Sequence, residues 1–215
     1  GNEKKYLIDC IDSGWISSKG KYVNLFEEKF SQFLGGGYSS AVSNGTVALH
    51  LALKAIGIKE GDEVLVPSFT YIASVNAIKF CNAKPVFVDS DLYSWNIDVK
   101  KIKEKITKKT KAILAVHLYG SLCDCKALKD ICNAFSIFLI EDSAEAFGSR
   151  QKNNYAGTFG DISTFSFFGN KTITTGEGGM VFSKNQDLIK RVAFLKSQAV
   201  DPYREYWHPE VGYNY

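Results

Sequence analysis

The 215 residues predict an α/β domain built on a mainly parallel sheet. Three observations carry that prediction. From Ser39 to Ile140, short apolar runs rich in β-branched residues alternate with segments of helical periodicity, which is the pattern of successive strand–helix–strand units. The length suits one large domain better than two small ones. Hydrophobic residues make up 45% and charged residues 23%, an ordinary composition for a chain that buries a core.

The elements follow in order. Glu3–Asp12 reads as an amphipathic helix closed by Ser13-Gly14. The loop Gly14–Lys21 is rich in turn residues and carries Trp15, either packed beneath a helix–helix connection or presented on a substrate-side loop. Tyr22–Leu34 spaces Val23, Leu25, Phe26, Phe30 and Phe33 near helical period and stops at Gly35-Gly36-Gly37. Ser39–Ser43 is a short strand, Asn44-Gly45-Thr46 a small-residue turn, and Val47–Ile56 an apolar helix. Such a turn aims backbone N–H groups and the positive helix end at one spot, an arrangement that suits phosphate. His50, among leucines and alanines, is expected in the core or in support of the site. Strands are expected at Glu63–Pro67, Lys84–Val88, Ala112–Val116 and Ile137–Ile140, and helices at Thr70–Phe80 and Asp124–Asn133. Asp91–Asp98 is a loop ending in a helix cap. The basic run Lys100–Lys111 reads as the wet face of a short helix and the turn after it, or as a patch for an acidic partner. Lys152–Tyr155 is a hairpin turn, and Val181–Lys196 a strand running into a helix.

Two places carry chemistry. The strand Ile137–Ile140 ends in Glu141-Asp142, and open α/β sheets place ligands at the carboxyl ends of their strands. The competing use of Asp142 is as an N-cap. The second place is Asp161–Phe182, whose only lysine is Lys171. Ile162–Phe168 reads as a buried strand, Thr172–Thr175 as the start of another, and Lys171 lies in the glycine-punctuated junction. It is either a surface lysine at a loop tip or a partly desolvated amine suited to attack a carbonyl.

Composition excludes several classes. A formal charge of +3 gives no case for nucleic acid. No run of about 18 apolar residues suggests a membrane span, and the N-terminus has no signal-peptide pattern. The five cysteines form no C-x-x-C pair and no zinc constellation, so reduced thiols of a cytoplasmic protein are expected and no metal. No G-x-G-x-x-G follows the first strand, which argues against a nicotinamide enzyme.

Four strings are longer than chance turns: S-N-G-T-V-A-L-H-L-A-L at Ser43, E-D-S-A-E-A-F-G-S at Glu141, S-F-F-G-N-K-T-I-T-T-G-E-G-G-M at Ser166, and the terminal W-H-P-E-V-G-Y-N-Y. Together they resemble the DegT/DnrJ/EryC1/StrS sugar-nucleotide aminotransferases, and G-N-K-T-I-T-T-G-E-G-G-M is similar to their GDP-perosamine synthase branch. The resemblance covers essentially all 215 residues. It implies the large domain of the type I (aspartate aminotransferase-like) pyridoxal 5'-phosphate fold, with helices on both faces and a homodimer sharing its active sites. It implies that Lys171 bonds the cofactor and that Asp142 contacts its pyridine nitrogen. It assigns Gly45, Thr46 and Ser166 to the phosphate, with Asn214 reaching the phosphate of the neighbouring subunit. It also implies that Tyr71 stacks on the ring. Glu145 falls near the phenolic oxygen, where many relatives carry glutamine. The Trp15 loop resembles the loop near the sugar nucleotide. The expected donor is L-glutamate and the expected acceptor a nucleotide-linked 4-keto-6-deoxy sugar, with GDP-4-keto-6-deoxymannose foremost. Relatives usually continue past this point into a smaller C-terminal domain, so residues 1–215 are expected to be the N-terminal, large-domain portion. The rival readings are a dTDP-sugar aminotransferase and a catalytically inert cofactor-binding or dimerisation piece. A dehydratase of the same family would replace the lysine, and Lys171 argues against it.

Overall fold

The computed structural model describes residues 1–215. Two helices open it, α1 (Glu3–Ser13) and α2 (Lys21–Phe33). Gly14 ends α1 in the left-handed region, at φ 69°, and returns its N–H to the Ile11 carbonyl, which a residue with a Cβ would do at a cost. No residue of α1 is buried. By contrast α2 is anchored by Phe26 and Phe30, whose rings lie 5.0 Å from Phe167 and 4.9 Å from Phe165. Trp15, between the two helices, is 58% exposed, so it is not packed beneath the connection.

One sheet of seven strands organises the rest. Its spatial order is β1 (Tyr38–Val42), β9 (Gly179–Ser183), β8 (Ile162–Ser166), β5 (Phe138–Asp142), β4 (Thr110–Val116), β2 (Glu63–Pro67) and β3 (Lys84–Val88). β9 runs antiparallel to both neighbours, and the other four pairings are parallel. The mainly parallel sheet is therefore as expected, with one reversed strand. Between strands come α3 (Gly45–Ala55), α4 (Ile72–Phe80) and α5 (Cys125–Phe135), α6 (Gln186–Lys196) follows β9, and β6 (Arg150–Gln151) and β7 (Asn154–Tyr155) form a separate hairpin at the expected turn.

Helices cover both faces because neighbouring residues of each central strand point to opposite sides. Ile140 joins the core under α3, α4 and α6, whereas Leu139 joins the core under α5. All five residues of β2 and of β9 are buried. A leucine or isoleucine fully buried in this way contributes about 1.5–3 kcal/mol. His50 sits in this core at 4% exposure. Burial there lowers its imidazole to about 4, in line with a core role. The outer edge of β1 is closed by two charges: Glu27 accepts the Ala41 N–H at 2.7 Å, and Lys196 donates to the Ala41 carbonyl at 2.7 Å. Side-chain charges that occupy edge backbone groups in this way make them unavailable to a further strand.

Three local expectations are corrected. The threonine stretch Thr172–Thr175 is not strand. Thr174 turns its hydroxyl to the Phe167 carbonyl and Thr175 to that of Glu177, and local bonds of this kind compete with a ladder. Gly176 and Gly178, at φ 85° and 153°, turn the chain before β9 begins. The buried strand expected through Phe168 ends at Ser166, leaving Phe168 exposed. The basic run holds no α-helix but two 3-10 turns, Val99–Lys101 and Lys103–Lys105, before β4 begins at Thr110. All five cysteines are free, and no helix is long and apolar enough to cross a membrane.

Candidate functional site

The carboxyl ends of β5 and β8, the β1–α3 turn and the first turn of α4 meet at one end of the sheet. Asp142 is the last residue of β5 and 5% exposed. Its Oδ2 accepts the Ser74 hydroxyl at 2.8 Å and its Oδ1 the Ala144 N–H at 3.2 Å. Burial pushes its carboxyl above the ordinary 3.8, opposed by those two donors and by the charge of Lys171. Asp142 is thus a buried carboxyl at the expected strand end, and it caps no α-helix. Ser74 escaped sequence reasoning, because a serine in the first turn of a helix is an unremarked residue until the fold brings it to a partner 68 positions away.

Lys171 follows β8 through Phe167–Asn170, its N–H closing the turn onto the Phe168 carbonyl at 2.9 Å. Its side chain is only 21% exposed, which sets it apart from a lysine at a loop tip. The Nζ lies 3.7 Å from Glu145 Oε1, an ion pair longer than a hydrogen bond. The other oxygen of Glu145 accepts the Tyr119 N–H at 2.8 Å. Tyr119 holds φ 49°, a sparsely populated conformation for an aromatic residue, and this bond helps hold it there.

An anion cradle completes the group. Asn44 caps α3, its side chain accepting the Val47 N–H at 3.0 Å and its carbonyl the Ala48 N–H at 3.1 Å. The N–H groups of Gly45 and Thr46, in the first turn, bond nothing within the chain. A Cβ at Gly45 would lie 2.8 Å from the Ser166 Cβ. Only glycine lets the helix end approach the end of β8 so closely. The Ser166 hydroxyl and the two open N–H groups therefore lie together at a helix N-terminus, where an oxyanion is favoured.

Gly45, Thr46, Asp142, Glu145, Ser166 and Lys171 thus gather at one sheet end. Tyr71 stands at the N-cap position of α4, three residues before Ser74, and is 76% exposed. Asn214 is not part of the group. It bridges Ser197, and its neighbours Tyr213 and Tyr215 bond the end of α6 through Leu195 and Lys196. A hollow of about 470 Å³ lies elsewhere, between α2, the start of β1 and α6. Chemistry marks the site.

Behind Asp142 the sequence reading missed a buried cluster of His117, Cys125 and Glu141, close enough together to hold a metal ion. Hydrogen bonds occupy it instead. Glu141 accepts His117 Nε2–H at 2.9 Å and the N–H groups of Gly157, Phe159 and Gly160 at 2.9, 2.8 and 2.5 Å. Burial works against a charge on the His117 ring and Glu141 works for one, with a net upward direction. The Cys123 N–H decides the matter: it donates to Nδ1 at 3.2 Å, which requires a free lone pair, so the ring is the neutral Nε2–H tautomer. Glu141 is thereby a buried anchor for the loop before β8.

Comparison with known proteins adds three findings. The model of the DegT/DnrJ/EryC1/StrS aminotransferase family matches residues 1–215. Among curated proteins, GDP-perosamine synthase of Escherichia coli O157:H7 is 58% identical over the whole chain, which spans 59% of that protein. The corresponding Vibrio cholerae protein is 56% identical, again with 59% of its length spanned. Among solved structures, 3-amino-5-hydroxybenzoic acid (AHBA) synthase superposes on 98% of the chain with a TM-score of 0.93 at 34% identity, the chain covering 56% of it. The fold is that of the type I pyridoxal-phosphate aminotransferases.

Proposed function

The chain belongs to the DegT/DnrJ/EryC1/StrS aminotransferase family, and from that premise we propose that it binds pyridoxal 5'-phosphate and moves an amino group from L-glutamate to C4 of a nucleotide-linked 4-keto-6-deoxy sugar. GDP-4-keto-6-deoxymannose is the foremost acceptor, supported by the names of the relatives at 58% and 56% identity. The observation that carries the reading is the meeting, at one sheet end, of a lysine amine, a buried carboxyl and an open helix N-terminus.

The residues fit the cofactor. Its phosphate suits the open N–H groups of Gly45 and Thr46 beside the Ser166 hydroxyl, a space that a Cβ on Gly45 would fill. When bound, the cofactor supplies an aldehyde that bonds an amine and a ring that takes up the electrons left when a Cα–H bond breaks. Lys171 would be the amine that attaches the cofactor and, when free, the base that holds and moves the proton. Asp142 would hold a proton on the cofactor's ring nitrogen, and its burial would strengthen that charge pair. Tyr71 offers a flat apolar face, and Glu145 an acceptor beside Lys171. Asn214 lies outside the single-chain group, and we assign it to the site of a second copy in a cytoplasmic homodimer.

The test is a substrate panel. Protein, cofactor and L-glutamate are incubated with GDP- and dTDP-linked 4-keto-6-deoxy sugars, and amino sugar and 2-oxoglutarate are measured by mass spectrometry. Product from the GDP-linked sugar is expected. Product only from dTDP-linked sugars would shift the acceptor. The chain spans 59% of the length of these two relatives, and the second reading is cofactor binding without turnover. It predicts cofactor capture but product only from a longer chain.

A further inference from the structure

Thr164 is 1% exposed, and its hydroxyl has no hydrogen-bond partner. An unpaired buried hydroxyl is a cost to the fold, and valine would fill a strand position of the same shape without that cost. The place of Thr164 suggests what the hydroxyl is for. It is the registered neighbour of Asp142 across the parallel β5–β8 ladder, so the two side chains leave the sheet on the same face. That face is the one under α3 and α4, since Ile140 and Ile162, two residues back on each strand, lie in their core. Two residues further along β8 is Ser166, against Gly45. Thr164 thus lies between the buried carboxyl and the anion cradle.

Asp142 has room for it. An ionised carboxylate offers about four acceptor positions, and Asp142 fills two, the second with a long bond of 3.2 Å from Ala144. We infer that Thr164 is a positioning residue for Asp142: its hydroxyl donates to the carboxylate, by rotation about χ1 or through one ordered water, and keeps it ionised against a cationic ring nitrogen. This rests on the cofactor reading above. Around Asp142, Lys171 approaches from the loop after β8 and Ser74 from α4. His117, neutral, closes the end of β4. Glu141 points to the opposite face of β5, and Glu145 is engaged with Lys171 and Tyr119. None of these bonds the Thr164 hydroxyl.

The experiment follows pyridoxal 5'-phosphate binding by cofactor absorbance from about pH 5 to pH 9. Wild type, Thr164→Val, Thr164→Ser and Asp142→Ala are compared. Losing one hydrogen bond to a charged acceptor raises the carboxyl, so the acid limb of the Thr164→Val profile is expected to move up by about one pH unit. Thr164→Ser should restore the wild-type limb. A purely structural role would instead weaken binding equally at every pH. A Thr164→Val profile that superimposes on wild type, or that is lowered evenly, overturns the inference. So does a Thr164→Ser profile as displaced as that of valine. Should the valine variant not fold, Thr164→Ala carries the same comparison. Asp142→Ala separates the two levels: if it leaves binding unchanged the cofactor reading itself falls, and the inference with it. If only Asp142→Ala matters, the inference alone falls.

Discussion

A carboxyl group buried as deeply as Asp142 resists ionisation, and that resistance is a cost the cofactor-free fold carries. Its folded value lies above the ordinary one. At low pH both states are protonated and nothing is lost. As pH rises past the ordinary value the unfolded chain ionises first, and the folded state loses relative stability until its own carboxyl has ionised. Asp142→Asn is therefore expected to stabilise the cofactor-free protein at neutral pH by on the order of 1 kcal/mol. The gain should vanish in acid, and thermal unfolding at both pH values checks it. The same variant should bind cofactor more weakly, since an amide holds no proton on a ring nitrogen. At this scale Lys171, Asp142 and Gly45 were legible, because their neighbours in sequence carry the pattern. Ser74 and Thr164 were not. Each acquires its meaning from a partner brought by the sheet or by α4, and nothing beside either in the sequence marks it.

Elements were legible where hydrophobic pattern and chain breakers agreed. β2 and β3 fall at the expected residues, Glu63–Pro67 and Lys84–Val88. The reading failed where β-branched residues spend their hydroxyls on nearby carbonyls, as Thr174 does on Phe167. The reversal of β9 was also out of reach, because strand direction depends on the path of the Lys171 loop and leaves no mark in the strand's composition. The closure of β1 gives a prediction at this scale. Lys196 joins α6 to the edge, 2.7 Å from the Ala41 carbonyl and 3.3 Å from Glu27. Lys196→Ala leaves Glu27 part-buried without its cation, and should lower stability in urea unfolding by about 1–3 kcal/mol. A loss within a few tenths would mean that water replaces the lysine fully.

Across the whole molecule, the site end is conspicuously apolar. Phe69, Tyr71, Ile72, Tyr119 and Phe168 are each 48% or more exposed there. Several large apolar side chains exposed at one end of a molecule are a feature of interaction faces. A second copy is the proposed cover, which would also account for an Asn214 remote from its own chain's cradle. Sedimentation should show a dimer, and Ile72→Glu should shift it toward monomer while circular dichroism stays native. A wild-type monomer at high concentration would speak against a shared site. The central claim, that this sheet end holds an aldehyde cofactor on one particular amine, meets its most direct test in chemical trapping. Protein incubated with pyridoxal 5'-phosphate is reduced with borohydride, digested and mapped by mass spectrometry. The expected result is one dominant adduct, on Lys171, absent from Lys171→Ala; a dominant adduct on another lysine, with Lys171 unmodified, would contradict it.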